Sequence, residues 1–380
     1  MIIYDYIIVG AGASGLMLAD ALGKDDFFAN KKILLLDKDN KKNNDRTWCF
    51  WEKGDGDFEE LLYKTWDYIY FGGKDYKKTM PIAPYRYKMI RGIDFYENKL
   101  NSINSFPNIH FEQATVSSIQ EISNTVNVVT SSGSYQAHMV FNSIFDYKMT
   151  AGQTKFPVLQ QHFIGWFIET EKPTFNSKQA KFMDFTVPQC GNTRFMYVLP
   201  LSETKALVEY TLFSEHLLPK KQYEEAIEDY LRETLQCHSY KITDTEQGSV
   251  PMTSYDFKDH NSSRILHIGT AGGWSKPSTG YTFWNTFKKT KSLVQFLKHG
   301  KSLKRFNKRN RFWYYDLIFL DVLHRDNGSG KQIFESLFIK RSPQQILKFL
   351  AEETTFWEEL MVMSAAPTKT FAKALIRRLF

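Results

Sequence analysis

The sequence predicts an α+β protein in which a discontinuous Rossmann-like domain for a dinucleotide receives an antiparallel-sheet domain and is followed by a helical C-terminal region. Three observations lead there. A short apolar strand enters the glycine turn Gly10-Ala11-Gly12-Ala13-Ser14-Gly15 close to the start of the chain. Four strand-like segments joined by turns occupy residues 163–212. A further buried strand then meets a second glycine-rich loop, Gly269-Thr270-Ala271-Gly272-Gly273, far downstream of the first. The expected division is residues 1–150 with 255–295 for the dinucleotide, 151–254 for the sheet that holds substrate, and 296–380 for the helical region.

Residues 4–9 form the first strand, and 16–22 repeat apolar side chains at helical spacing, so this helix packs back on the sheet. Residues 32–36 form a second buried strand ending in Asp37, which completes a βαβ opening. After a polar, aromatic stretch, residues 109–116, 126–130 and 135–141 read as strands between Ser, Asn and Gly turns. Segments 163–169, 182–187, 195–199 and 206–212 follow, linked by turns such as Pro188-Gln189-Cys190-Gly191-Asn192. A helix is expected over 223–235 and a buried strand over 264–269. From 282 onward the pattern is helical, with breaks near Gly300, 327–330 and Pro343.

Hydrophobic residues make up 42% of the chain and aromatics 16%, with 31 Phe and 20 Tyr, a composition that fits a large apolar cavity or a well-filled core. The net charge of +7, from 49 Lys and Arg against 42 Asp and Glu, suits nucleic acid, an anionic membrane or solubility alone. No nucleic-acid motif accompanies it, so no such partner is expected. No apolar run approaches the ~20 residues that span a bilayer, and the first strand leaves no room for a signal peptide. These features predict a cytoplasmic chain that meets membranes only at its surface. Cys49, Cys190 and Cys237 are too few and scattered for a disulfide framework, and the nine histidines lack metal-ligand spacing, so no metal is expected.

The first glycine turn has a defined chemistry. Gly10 permits the tight turn, Gly12 lets backbone approach a pyrophosphate, and Gly15 allows close helix packing, while the helix N-terminus supplies partial positive charge. Asp37 is placed to accept hydrogen bonds from ribose hydroxyls. A single NAD unit has no need of the return at Gly269–Gly273, whereas glutathione-reductase-type folds use such a return to hold the flavin end of FAD. FAD is therefore the expected dinucleotide, although Thr270 stands where an acid is usual in that loop.

Several segments together resemble the flavin-dependent lycopene cyclases, of the bacterial lycopene β-cyclase type. They are Asp45-Arg46-Thr47-Trp48-Cys49-Phe50-Trp51, YKMIRGIDFY over 87–96, FMDF over 182–185, FMYVLPLSETKALVEYT over 195–211, and GTAGGWSKPSTGYTF over 269–283. The resemblance implies closure of the ψ ends of lycopene and related C40 carotenoids to β-rings with reduced FAD, NAD(P)H serving only to reduce the flavin. It further implies cofactor contacts by Arg46, Thr279 and Gly280 beside the glycines already named.

Ring closure of this kind is redox-neutral and needs a proton donor. A carboxylic acid in an apolar pocket suits it, because burial disfavours the ionised form. In Ala206-Leu207-Val208-Glu209-Tyr210-Thr211 the period of two places Leu207, Glu209 and Thr211 on one face. Alternation alone leaves that face either at a cavity or in solvent. The resemblance selects Glu209 as the acid, since it matches the family's Phe-Leu-Glu-Glu-Thr-like motif with Tyr210 replacing the second Glu. Asp184 is a second candidate, to orient substrate or share the proton, or else a hydrogen-bonded structural residue. Phe349-Leu350-Ala351-Glu352-Glu353-Thr354 looks more like the motif but lies past the flavin loops and reads as a structural helix. Trp166, Trp274, Tyr281 and Trp284 could face a cation or simply pack.

A hydrocarbon substrate resides in lipid, so the protein is expected to dock on an anionic membrane surface. Two basic stretches with interspersed apolar residues, 288–311 and 370–380, are candidates, each also readable as a solvated face. The competing functional readings are a flavin monooxygenase or isoprenoid reductase on the same domains, and a non-enzymatic carotenoid carrier.

Overall fold

The computed structural model describes residues 2–306 and 308–379. Met1, Asn307 and Phe380, the last included in the basic terminal stretch read from sequence, lie outside the described residues, as does the side chain of Leu379. In chain order the first elements are β1 (Ile3–Val9), α1 (Ala13–Gly23), β2 (Ile33–Asp37), β3 (Thr47–Lys53), β4 (Lys64–Trp66), β5 (Tyr68–Gly72), β6 (Lys77–Pro81), β7 (Tyr85–Arg91) and α2 (Gly92–Asn104). There follow β8 (Ile109–Gln113), β9 (Val116–Ile122), β10 (Thr125–Thr130), β11 (Gly133–Asn142), β12 (Leu159–Thr170), β13 (Gln179–Asp184), β14 (Thr193–Pro200) and β15 (Lys205–Ser214). The rest is α3 (Lys220–Asp229), β16 (Tyr240–Met252), β17 (Ile265–His267), α4 (Phe283–Leu297), α5 (Arg311–Arg325), α6 (Gly330–Lys340), α7 (Pro343–Leu350), α8 (Phe356–Ala365) and α9 (Thr368–Leu379).

The first sheet runs β8-β2-β1-β11-β10-β9, with β17 added parallel to β11. Its centre, β8, β2, β1 and β11, is parallel. Such strands are covered on both faces and read as continuous apolar runs, as Ile7, Ile8 and Val9 and Leu34, Leu35 and Leu36 do. Helices α1 and α4 pack together on one face, so an element from the far end of the chain completes the dinucleotide domain.

The second sheet runs β16-β12-β15-β14-β13-β5-β6, antiparallel except between β13 and β5. Here the structure departs from the expected division at residue 150, because β5 and β6 come from the first segment. A third sheet, β3-β7-β4, occupies the stretch that looked merely polar and aromatic. Strand β16 also escaped prediction. It is an edge strand whose first half is almost wholly exposed, so its polar side chains never alternate with apolar ones.

One face of the second sheet meets α3 through Trp166, Val208, Tyr210, Tyr223 and Ile227. The other, through Phe182, Phe195, Leu207 and Phe213, faces the C-terminal helices, which contribute Leu320, Phe334 and Leu347. The C-terminal region is more broken than a pair of long amphipathic helices. The basic stretch 288–311 is divided by Gly300, at φ 59°, and by a short helical turn over Leu303–Arg305. Helix α7 ends at Leu350, so Ala351 to Thr354 are a turn and not part of a helix. Glu352 there has φ 62° and accepts hydrogen bonds from Lys276 Nζ and Asn310 Nδ2.

Candidate active site

A cavity of about 930 Å³ extends from the first glycine turn, between the second sheet and α4, to α8 and α9. Gly12, Ala13, Ser14, Arg46, Gly269, Thr279 and Gly280 lie on its wall. Gly10, Ala11, Gly15, Asp37, Gly272 and Gly273 stand behind that wall and shape it. Gly10 has φ 94°, and a Cβ on Gly15 would lie 1.8 Å from Gly10 O, so the turn can close only with glycine at both positions. Gly12 has nothing within 4 Å of such a Cβ. Asp37 receives hydrogen bonds from the backbone of Ala11 and Asp39, and Lys41 Nζ stands 3.4 Å from it.

The two glycine loops meet. A Cβ on Gly269, where φ is 60°, would lie 2.5 Å from Ser14 Oγ. Beyond this contact, Gln161 Oε1, Thr279 Oγ1 and Thr286 Oγ1 are buried on the cavity wall without a hydrogen-bond partner among the described residues. Buried polar atoms are seldom left so, and here they line the space between the glycine loops and the sheet. Open backbone at Gly12, a helix N-terminus and these orphan acceptors and hydroxyls fit a bound dinucleotide with a polar ring system.

The sheet wall is acidic at one spot. Alternation along β15 holds as expected: Leu207, Glu209, Thr211 and Phe213 line the cavity and Val208 and Tyr210 face α3. Glu209 is 8% exposed and Glu246, on β16, is 9% exposed. Both pair with Gly165 of the intervening strand β12. A Cβ on Gly165 would lie 2.9 Å from Leu207 Cδ1, 3.4 Å from Glu246 Cγ and 3.5 Å from Glu209 Cβ, so the missing side chain lets Leu207 and both glutamates close in over the middle strand.

Burial pushes Glu209 up to about 8, aided by the like charge of Glu246 and opposed by a hydrogen bond from Thr211 Oγ1 at 2.7 Å. Burial raises Glu246 to about 7, against the hydrogen bond from Thr47 Oγ1 at 2.7 Å and the nearby Arg46. Among the described residues neither acid forms an ion pair, so burial and mutual repulsion favour a proton retained on the pair near neutral pH. Around them, burial holds Cys49, Tyr197 and Tyr281 protonated. Near them the sheet wall carries Phe163, Phe182, Phe195 and Leu207, while Lys41, Asp45 and Asp316 also lie on the cavity.

Asp184 does not join this group. Strand β13 carries a bulge between Lys181 and Asp184, which pair with Val198 and Met196, so three steps on one strand match two on the other. Phe182 and Met183 both line the cavity, and Asp184 is turned away from it. Its carboxylate accepts hydrogen bonds from Tyr230 OH at 2.6 Å and from Thr186 N and Oγ1, while Lys181 Nζ stands 3.7 Å away. These bonds also explain why the strand stops there and does not reach Val187.

Of the four aromatic candidates only Tyr281 lines the cavity. Trp166 packs toward α3, Trp274 against Phe306, and Trp284 stacks on Phe50. Glu246 was missed in the sequence because its significance lies in register. Nothing in Asp244-Thr245-Glu246-Gln247 marks it apart from an ordinary polar run, and only pairing opposite Gly165 brings it to Glu209.

A discontinuous parallel sheet with two touching glycine loops, opening on an apolar cavity under an antiparallel sheet, is the FAD-binding flavoprotein fold. The chain belongs to the lycopene cyclase family, whose model, described as lycopene cyclase protein, matches residues 5–376. It is 32% identical over 128 residues to the lycopene β-cyclase of Paracoccus sp. (strain N81106 / MBIC 01143), a match spanning about a third of each chain, 32% of both. Solved structures share the whole fold at low identity. A geranylgeranyl bacteriochlorophyll reductase-like protein from Thermoplasma acidophilum has TM-score 0.61 and 11% identity, covering 97% of this chain and 98% of that one. A flavoprotein/dehydrogenase from Cytophaga hutchinsonii gives 0.61 and 13%, covering 99% and 100%. A variant of the halogenase PltM solved in complex with FAD gives 0.58 and 11%, covering 97% and 85%.

Proposed function

We propose that this protein binds FAD and closes the ψ end groups of lycopene to β-rings without net oxidation, as a lycopene β-cyclase of carotenoid biosynthesis. One observation carries the reading: Glu209 stands buried, its carboxyl pushed up to about 8 by that burial, in the wall of an apolar cavity whose other end is built by two glycine loops. A carboxylic acid held neutral beside a hydrocarbon pocket can protonate an alkene, and a pocket without water leaves the resulting cation no nucleophile but the substrate's own double bond.

Gly12, the α1 N-terminus and Arg46 would hold the pyrophosphate side of FAD, and Thr279, Gly280 and Gln161 the flavin side. Reduced FAD supplies electron density that stabilises a nearby cation, with NAD(P)H as the source of its electrons. The protein's own residues do the proton chemistry. Glu209 gives its proton to the terminal double bond, the neighbouring double bond closes on the cation, and the ring then loses a proton. The hydroxyl of Thr211 holds the carboxylate of Glu209 in place, and Tyr281 offers its ring face to the cation.

Expression in a lycopene-accumulating bacterial host, followed by pigment analysis, tests the reading. Accumulation of γ- and β-carotene is expected; unchanged lycopene alongside folded, flavin-bound protein would refute it. A monooxygenase or reductase on this fold would instead consume one NAD(P)H per turnover, whereas a cyclase turns over many times per reduced flavin.

The substrate's insolubility requires a lipid-facing entrance. Helices α8 and α9 are suited to it: Phe356 and Leu375 line the cavity and are half exposed, while Trp357, Leu360, Met361 and Ile376 continue the apolar surface outward. Lys369, Lys373 and Arg377 border it with positive charge. Arg378, expected to serve the same purpose, is instead bound to both carboxylate oxygens of Asp321 and to Lys155 O. No helix among the described residues is long and apolar enough to cross a membrane.

A further inference from the structure

We propose that Glu246 is the base of the cyclisation, taking from the newly closed ring the proton whose loss forms the β-ring double bond, while Glu209 on the other side of Gly165 supplies the first proton. The inference rests on the cyclase reading of the same cavity and adds to it a residue, a direction of proton flow and a determinant of product.

Position comes first. Strands two apart in a sheet are ~10 Å apart at the backbone, since neighbours are separated by ~4.8 Å. Gly165, on the strand between them, carries no side chain, and Leu207 Cδ1, Glu246 Cγ and Glu209 Cβ are the atoms that close over it. A substrate end lying over Gly165 therefore has one carboxylate on each flank. Glu209 and Glu246 are both on the cavity wall, and Asp184 is not.

The surroundings of the two acids differ in the sense the division requires. Burial, Asp244 and Asp45 disfavour the charged form of Glu246, but the Thr47 hydroxyl and Arg46, on the loop entering β3, favour it. Glu209 accepts a hydroxyl from Thr211 and has Glu246 as its charged neighbour. Of one proton shared by the pair, Glu209 is the holder, and Arg46 with the Thr47 hydroxyl leaves Glu246 as the ionised member, free to take up another. Cys49, Tyr197 and Tyr281, also close to them, stay protonated and cannot act as bases.

The step balances. A proton leaves Glu209 for the inner carbon of the terminal double bond, the neighbouring double bond forms a carbon–carbon bond to the tertiary cation left at the outer carbon, and one ring C–H bond breaks with its proton passing to Glu246. Return of that proton from Glu246 to Glu209 restores the start, with no change in the formula of the carotenoid and no electron moved. Because the base sits at one place, it selects which ring C–H is broken and hence where the ring double bond forms.

The experiment measures cyclisation of lycopene in anionic vesicles by wild type, Glu209→Gln, Glu246→Gln and Glu246→Asp, each with reduced FAD, across pH, with pigments resolved by ring type. The expected result for Glu246→Gln is turnover lowered by about 10²-fold or more at every pH with carotenoid and flavin still bound, the size of a lost general base. Glu246→Asp should recover at least part of the rate and misplace some ring double bonds. Turnover by Glu246→Gln within tenfold of wild type, with the alkaline limb moved to lower pH and the product unchanged, would overturn the proposal, because a charge that merely raised Glu209 behaves in that way. If Glu246→Gln fails to fold, an unaltered rate and product in Glu246→Asp overturns it, and a slowed or misplaced product supports it. Wild type without any ring product would strike down the cyclase reading itself, an outcome distinct from all of these.

Discussion

The side chain of Ser14, in the first turn of α1, rests against the backbone of Gly269, so that any Cβ at 269 would lie 2.5 Å from Ser14 Oγ. This contact joins the two halves of the discontinuous dinucleotide domain at the point where they border the cavity. It brings φ of Gly269 to 60°, a conformation that costs other residues about 1–2 kcal/mol. Gly269→Ala should therefore lower stability by more than that amount and weaken flavin retention. Thermal melting with flavin absorbance checks it, and Ser14→Gly in the same chain should recover the steric part of the loss but not the conformational part.

Glu209→Gln should reduce cyclisation by about 10²–10⁴-fold while leaving carotenoid binding intact, since the amide has the shape of the acid but no proton to give. Wild-type activity should fall as pH rises through about 8, where Glu209 ionises.

The same shift has a stability consequence. Folded Glu209 titrates above its unfolded value of 4.5, so the neutral acid stabilises the fold fully below pH 4.5 and that contribution is lost as pH rises toward 8. Chemical denaturation of wild type and Glu209→Gln at pH 5 and pH 8 should show wild type losing more stability over that interval. An equal loss in both proteins would contradict the burial assigned to this carboxyl.

Asp184→Asn should behave in the opposite way. The acid bonds Tyr230 and its own Thr186 on the side of the sheet away from the cavity, so the substitution should cost about 1–3 kcal/mol of stability. Turnover per folded, flavin-bound molecule should stay within a few-fold of wild type. A loss as large as that of Glu209→Gln would place Asp184 in the chemistry after all.

Trp357→Ser with Ile376→Ser removes two exposed apolar side chains from the α8–α9 surface without altering the cavity wall. Burying side chains of this size in an apolar phase is worth roughly 1.5–3 kcal/mol each, so partition onto anionic vesicles should fall at least tenfold. Arg377→Glu should make the residual binding less dependent on anionic lipid. Unchanged co-sedimentation with vesicles in both variants would remove this surface as the membrane contact.

The sequence by itself determined the features that depend on short range. The turn from Gly10 to Gly15 is a local steric code, because a Cβ at Gly15 meets Gly10 O five residues earlier. The period of two along 206–211 put Glu209 on the face opposite Tyr210, and packing kept it there, because an uninterrupted strand cannot change faces. At Asp184, where the sequence left a site role and a hydrogen-bonded structural role both open, a bulge inserted one extra residue and turned the carboxylate to Tyr230 and Thr186. Sequence reasoning failed at Arg378, whose basic character suggested lipid but whose charge is spent on Asp321.

Only the tertiary structure decided which residues share the cavity. Glu246 lies in a polar edge strand with no pattern of its own, and β5 and β6 leave their neighbours in sequence to extend the second sheet. Both outcomes depend on register between strands distant in the chain, which is set by long-range pairing and carries no local signature. That register puts a glycine between two glutamates and brings both to one cavity wall.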